Sequence, residues 1–128
     1  MRVLLDTHIF FWLNTDSGKL SKLVKDTLAS KSNDLVLSVV SIWEIQIKTQ
    51  IGKMCLPAPL AEIVNKNIMV NGIEILDVSL KHVLALDKMP QHHKDPFDRL
   101  LIAQANVESL TLVSNDAIFT NYEVKLLS

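Results

Sequence analysis

The sequence predicts an α/β fold: a central parallel sheet of four to five strands with helices on both faces. Three observations carry this. Residues 3–5 and 35–37 are unbroken apolar runs without the alternation of a half-exposed strand, which is how a parallel strand covered on both faces reads. Between such runs, apolar residues recur at helical spacing, so strands and helices alternate along the chain. The first and the last main strand are each followed by a carboxylate, Asp6 and Asp116, at the end where open α/β sheets gather their ligands.

Composition bounds the rest. A chain of 128 residues, 48% hydrophobic, is expected to form one domain over residues 1–128 with a single core. Thirteen Lys+Arg against fourteen Asp+Glu give a formal charge of −1, so no global basic field announces a nucleic-acid partner, although a local patch would suffice. The single Cys55 excludes an internal disulfide framework and fits a reducing compartment. Val3-Leu4-Leu5 before Asp6 is too short for a signal core or a membrane span, so a cytoplasmic protein with no membrane contact is expected.

Taken in order, residues 2–6 read as a buried strand ending at Asp6, and Thr7 is placed to cap a helix whose aromatic residues, Trp12 among them, belong in the core. Asp6 either acts at the sheet's rim or helps that cap. Residues 14–19 form a loop, after which Leu20, Leu23, Val24 and Leu28 mark a helix. Lys19, Lys22 and Lys25 lie opposite, as a solvated face or a row for phosphates. A second strand covers 35–38, and a helix over about 40–51 is closed by Gly52. Glu44 shares the apolar face of that helix with Val40, Ile47 and Ile51, where an exposed glutamate would not normally lie. Pro57 and Pro59 introduce a helix over about 60–70, stopped by Asn71-Gly72, and residues 73–78 form a third strand. Ser79 caps a helix carrying Leu80, Val83, Leu84 and Leu86. His92 and His93 read as a loop pair rather than a metal site, since adjacent histidines do not converge and no Cys or third His is near.

The helix from Pro96 to Ala105 organises the remainder. Asp95 can cap it, Pro96 suits its first position, and Leu100, Leu101, Ile102, Ala103 and Ala105 leave almost no polar face. Asp98 falls on the side of Leu101, Ile102 and Ala105, which aims a carboxylate inward. A buried unpaired charge is costly, so Asp98 needs a cation, donors or a proton, unless both aspartates serve only a capping box. Residues 110–114 are the fourth strand, 117–119 a helical turn, and 124–127 a last edge strand.

Four carboxylates converging on one rim would repel strongly, and no Lys or Arg is evidently placed to neutralise all of them. A divalent cation would, and oxygen-only ligands suit Mg²⁺ or Mn²⁺ better than Zn²⁺. Leu4-Leu5-Asp6-Thr7-His8, Ser41-Ile42-Trp43-Glu44-Ile45, the stretch from Asp95 to Ala105, and Val113-Ser114-Asn115-Asp116, in this order, resemble the PIN-domain ribonucleases. The nearest group is the VapC-like toxins of toxin–antitoxin pairs. The likeness runs nearly end to end, and the ordered set is specific where each motif alone is weak.

The resemblance implies a three-layer PIN-like fold and an Mg²⁺- or Mn²⁺-dependent endoribonuclease in which Asp6, Glu44, Asp98 and Asp116 hold the metal. Thr7, Ser114 and Asn115 would give polar support, and Asp95 is either catalytic or only a helix cap. The products would be 5′-phosphate and 3′-hydroxyl ends. It further implies a homodimer and a cognate antitoxin protein that silences the site. Lys48, Lys94 and Arg99 are candidates for RNA phosphates, with Lys53 and the row of Lys19, Lys22 and Lys25 behind them. Trp12 and Trp43 are read as core, with base stacking the alternative. Two rivals compete: a non-cleaving RNA- or antitoxin-binding module, and a receiver-like phosphoacceptor domain. The second would want paired acids after the first strand and a Lys after the last, and Asp6 stands alone.

Overall fold

The structure is a computed structural model that describes residues 1–91 and 95–128. Its elements are β1 (Arg2–Leu5), α1 (Thr7–Thr15), α2 (Lys22–Ala29), β2 (Asp34–Ser38), α3 (Val39–Gln50), α4 (Leu60–Asn71), β3 (Glu74–Leu76), α5 (Leu80–Ala85), α6 (Pro96–Val107), β4 (Thr111–Val113) and β5 (Leu126–Leu127). Short 3-10 turns lie at Ser17–Lys19, Leu86–Lys88 and Ala117–Asn121. The five strands form one sheet in the order β3-β2-β1-β4-β5, with every neighbouring pair parallel.

Strand parity builds the layers. Successive side chains of a strand point to opposite faces. Val3 and Leu5 therefore pack with Leu35, Leu37, Ile9, Phe10, Val24 and Ile63 on one side, under α1, α2 and α4. Leu4 and Val36 pack with Leu101, Ile102, Ala105, Leu112 and Phe119 on the other, under α6. Both faces are covered, which is why these strands are apolar at every position. Helix α3 starts directly from the end of β2 and serves both sides, Ile45 in the first cluster and Val40 in the second. Each such large aliphatic side chain contributes on the order of 1.5–3 kcal/mol by leaving water.

Helix ends follow local chemistry. Ser21 Oγ accepts from Val24 N–H (3.1 Å) and Ser38 Oγ from Val40 N–H (3.0 Å), fixing the starts of α2 and α3. Gly72 closes α4 at φ 65°, a left-handed conformation that a side chain would strain.

Several expectations are corrected. The helix expected from Leu20 begins at Lys22, because Ser21 is its cap and the residues before it form a 3-10 turn; Leu20 is buried all the same. The third strand shrinks to Glu74–Leu76, since its one neighbour, β2, offers its last partner at Ser38. The last strand is only Leu126–Leu127. On α5 the residues Leu80, Val83 and Leu84 are exposed, and the buried residue is His82. Its Nδ1 accepts from Ser79 N–H (2.9 Å) and its Nε2 lies 3.0 Å from Glu108 Oε2, tying the start of α5 to the end of α6. Trp43 is 57% exposed rather than core, and Trp12 is half-buried. His92 and His93 lie outside the described residues.

Candidate active site

The sheet order places β1 at the centre. From it the chain runs to β2 on one side, while β4 lies on the other, so β1 and β4 flank the switch point of the topology. Their last register pair is Leu5 with Val113. Asp6 N–H then donates to Val113 O (2.9 Å), carrying the ladder one step further and setting Asp6 beside Ser114. Ser114 Oγ donates to Asp6 Oδ2 (2.8 Å). Asp6 Oδ1 accepts from Thr7 N–H (2.7 Å), so Asp6, not Thr7, caps α1.

That correction frees the Thr7 hydroxyl. Its Oγ1 donates to Glu44 Oε1 (2.7 Å) and lies 3.0 Å from Ser41 Oγ, linking α1 to α3. Glu44 is 3% exposed, on the side of α3 that buries Val40, Ser41 and Ile45, whereas Ile51, expected on the same face, is exposed just past the helix end; the other oxygen of Glu44 takes Lys48 Nζ at 2.6 Å. A buried carboxylate needs such partners, because an unpaired one costs several kcal/mol. Lys48, expected at RNA phosphates, thus neutralises Glu44, four residues before it on the same helix.

The remaining acids arrive from the other elements. The Trp43 ring meets Phe97 edge-on with centroids 5.1 Å apart, which sets the first turn of α6 against α3. Glu44 follows Trp43 and Asp98 follows Phe97, so the two acids sit on the two elements this contact joins. Asp98 is half-buried. Asp95 Oδ1 accepts from Phe97 N–H (2.8 Å) and Asp98 N–H (3.2 Å), which gives it the work of a cap. Asp116 is exposed; its N–H donates to Ser114 Oγ (3.0 Å) and its Oδ1 accepts from Ile118 N–H (3.0 Å). The Ser114 hydroxyl therefore joins Asp6 to the backbone of Asp116.

A hollow of about 260 Å³ opens here, lined by Asp6, His8, Trp12, Asn115 and Asp116. Asp6, Thr7, Ser114, Asn115 and Asp116 come together as expected, with Glu44 joined through Thr7. Arg99 donates to Gln91 Oε1 (2.6 Å) and reaches the Leu86 carbonyl (3.4 Å), held on the α5 side by those bonds. Lys94 lies outside the described residues. His8 went unrecognised in the sequence; the available signal was its spacing of four residues from Trp12 on the helix that starts at the rim.

Burial pushes the Asp6 carboxyl above its ordinary range and the nearby Glu44 adds to this, while the bonds from Ser114 and Thr7 and the neighbouring His8 pull the other way. A cation beside Asp6 would relieve that strain. Among the described residues, however, no three His, Cys, Asp or Glu side chains stand together as a ready cage for an ion.

A doubly covered parallel sheet with carboxylates at its switch point defines an α/β domain whose site is acidic and built from three separate segments. The PIN domain model matches residues 3–125, and the chain belongs to that family. Its fold is shared with a chain of VapBC2 from Rickettsia felis bound to a DNA fragment from the promoter (20% identity, 99% of this chain and 98% of that one, TM-score 0.74). It is shared also with a chain of DNA-bound VapBC from Salmonella typhimurium (14%, 99% and 97%, 0.73) and with one of a toxin–antitoxin complex from Klebsiella pneumoniae (15%, 98% and 96%, 0.65). No curated protein sequence matches the chain. Among the described residues no helix is long and apolar enough to cross a membrane.

Proposed function

We propose that the protein is a metal-dependent endoribonuclease and the toxin of a toxin–antitoxin pair. The observation that carries this is Asp6: a carboxylate 4% exposed, pushed towards protonation by burial, yet lining a hollow beside a second acid at the sheet's switch point. Membership of the PIN family and the fold shared with toxin–antitoxin complexes support it.

Asp6, Glu44, Asp98 and Asp116 would hold Mg²⁺ or Mn²⁺; their oxygen-only chemistry fits a hard cation, and burial leaves Asp6 short of positive charge. Such an ion would supply a water of lowered pKa and offset charge on the phosphoryl group, and hydrolysis by that water would leave 5′-phosphate and 3′-hydroxyl ends. The chain's own residues do the positioning. Ser114 and the Thr7 N–H hold the two oxygens of Asp6 in a fixed direction, and Thr7 Oγ1 does the same for Glu44. Lys48 holds the charge of Glu44 and, like Arg99 and Lys94, is a candidate for RNA phosphates. The cognate antitoxin and a second copy of the chain are the proposed protein partners, and the exposed Leu80, Val83 and Leu84 of α5 offer apolar surface for such contacts.

One observation favours a second reading. Both oxygens of Glu44 are already engaged, by Thr7 and by Lys48, as in a module that binds RNA or antitoxin without cleaving. The test is cleavage of total RNA by antitoxin-free protein, with Mg²⁺ or Mn²⁺ against EDTA, and with Asp6→Asn and Asp98→Asn. Discrete 5′-phosphate fragments lost under EDTA and in both variants support the nuclease. Equal cleavage by wild type and variants removes it, and metal binding without turnover selects the non-cleaving module.

A further inference from the structure

We infer that His8 and Trp12 form the wall on which one base of an RNA substrate stacks beside the carboxylates, a deepening that rests on the nuclease reading above. Both residues line the same hollow as Asp6, Asn115 and Asp116. They lie one turn apart on α1, with ring centroids 5.5 Å apart and planes tilted by 50°. His8 is exposed, although its neighbours Thr7 and Ile9 on either side are buried, so the helix turns this ring, with that of Trp12, to the hollow. Trp12 is only half-covered by the core cluster it touches.

The composition of the hollow fits a base better than a phosphate. Two of its five lining side chains are carboxylates, which repel a phosphate until a cation is present, whereas an aromatic wall attracts the π-face of any base regardless of charge. Its volume, about 260 Å³, falls just below the range of roughly 300–1,000 Å³ typical of small-molecule pockets, so it admits a single base rather than a folded RNA element. Lys19 lies outside the lining but touches it through Trp12. Its ammonium sits over the Trp12 ring, 5.8 Å from the centroid, which braces the indole and brings positive charge to where a flanking phosphate would run. Asp6 and His8 are separated by one residue, so the base and the reacting phosphate are gripped from the two ends of the same short segment. Stacking of this kind grips every base, with sequence preference arising from stacking strength.

The test uses the full chain carrying Trp43→Phe, which leaves Trp12 as the sole tryptophan, together with Asp98→Asn to keep the RNA intact. Short oligoribonucleotides with a fluorescein label, and an abasic ribose-phosphate chain of equal length, are titrated in Mg²⁺ buffer. Indole emission and label anisotropy are read together. Base-bearing RNA is expected to quench Trp12 while the abasic chain does not; His8→Ala should weaken binding about tenfold, and His8→Phe should restore it to within a few-fold. RNA that binds by anisotropy with Trp12 emission unchanged would overturn the wall and leave the nuclease standing. A His8→Phe variant as weak as His8→Ala would also overturn it, because the imidazole would then act through its charge or proton. If the wild-type chain neither binds nor cleaves RNA with either metal, both readings fall together.

Discussion

Asp6 is where folding and chemistry pull apart. Its carboxyl is raised by burial above the ordinary value of 3.8, so the folded chain binds that proton more tightly than the unfolded one. The stability this group contributes is complete below 3.8 and is lost as pH rises through the raised value. At neutral pH, where the unfolded chain carries this charge freely in water, burying the carboxyl is a standing cost. Urea unfolding in EDTA should therefore show Asp6→Asn more stable than wild type near pH 7, with the difference closing in acid, while under the proposed function the same variant should cleave no RNA. A variant less stable at neutral pH would mean that the Ser114 and Thr7 bonds outweigh the desolvation. Thr7 makes the opposite case: Thr7→Val strands Glu44 Oε1 in a buried place and should lose about 1–3 kcal/mol in the same measurement.

Elements differ in how much they declare of themselves. The start of α6 is written locally, in Asp95 and Pro96, and the structure has that cap. Asp95→Ala should lose about 1 kcal/mol of stability in urea with cleavage intact; lost cleavage in a folded variant would make Asp95 a member of the active site. The acids were legible for a similar reason: Glu44 and Asp98 broke an apolar face, and Asp6 closed an apolar strand. The α5 stripe was legible as a helix, but periodicity shows that one face is apolar without showing whether anything covers it. What α6 takes from α5 is His82, through a partner, Glu108, that lies 26 residues away. Lys48 shows the same limit. Its spacing from Glu44 was visible, but only the burial of Glu44 decides that the ammonium turns to it and not to solvent. His8 escaped because its spacing from Trp12 shows that the two rings share a side of α1 without showing that a hollow lies beside them.

At the scale of the molecule, a cation bound by the folded site and not by the unfolded chain must raise the melting temperature, by an amount set by its concentration relative to its dissociation constant. Mg²⁺ or Mn²⁺ should raise the melting temperature of the wild type progressively and leave Asp6→Asn nearly unmoved. Equal shifts in both would place the ion elsewhere. The sheet itself was predictable as parallel and doubly covered, while its strand order was not, because order depends on contacts between segments far apart in the chain. That order has a consequence in time. Asp6 emerges early in synthesis, yet the hydroxyl that orients it belongs to Ser114, 108 residues later, just past the end of β4, which is inserted beside β1. A nascent chain halted before β4 carries Asp6, Glu44 and Asp98 but has neither that hydroxyl nor Asp116. If the proposed nuclease function holds, a chain truncated ahead of Thr111 should cleave no RNA, and cleavage by such a chain would contradict the dependence on Ser114.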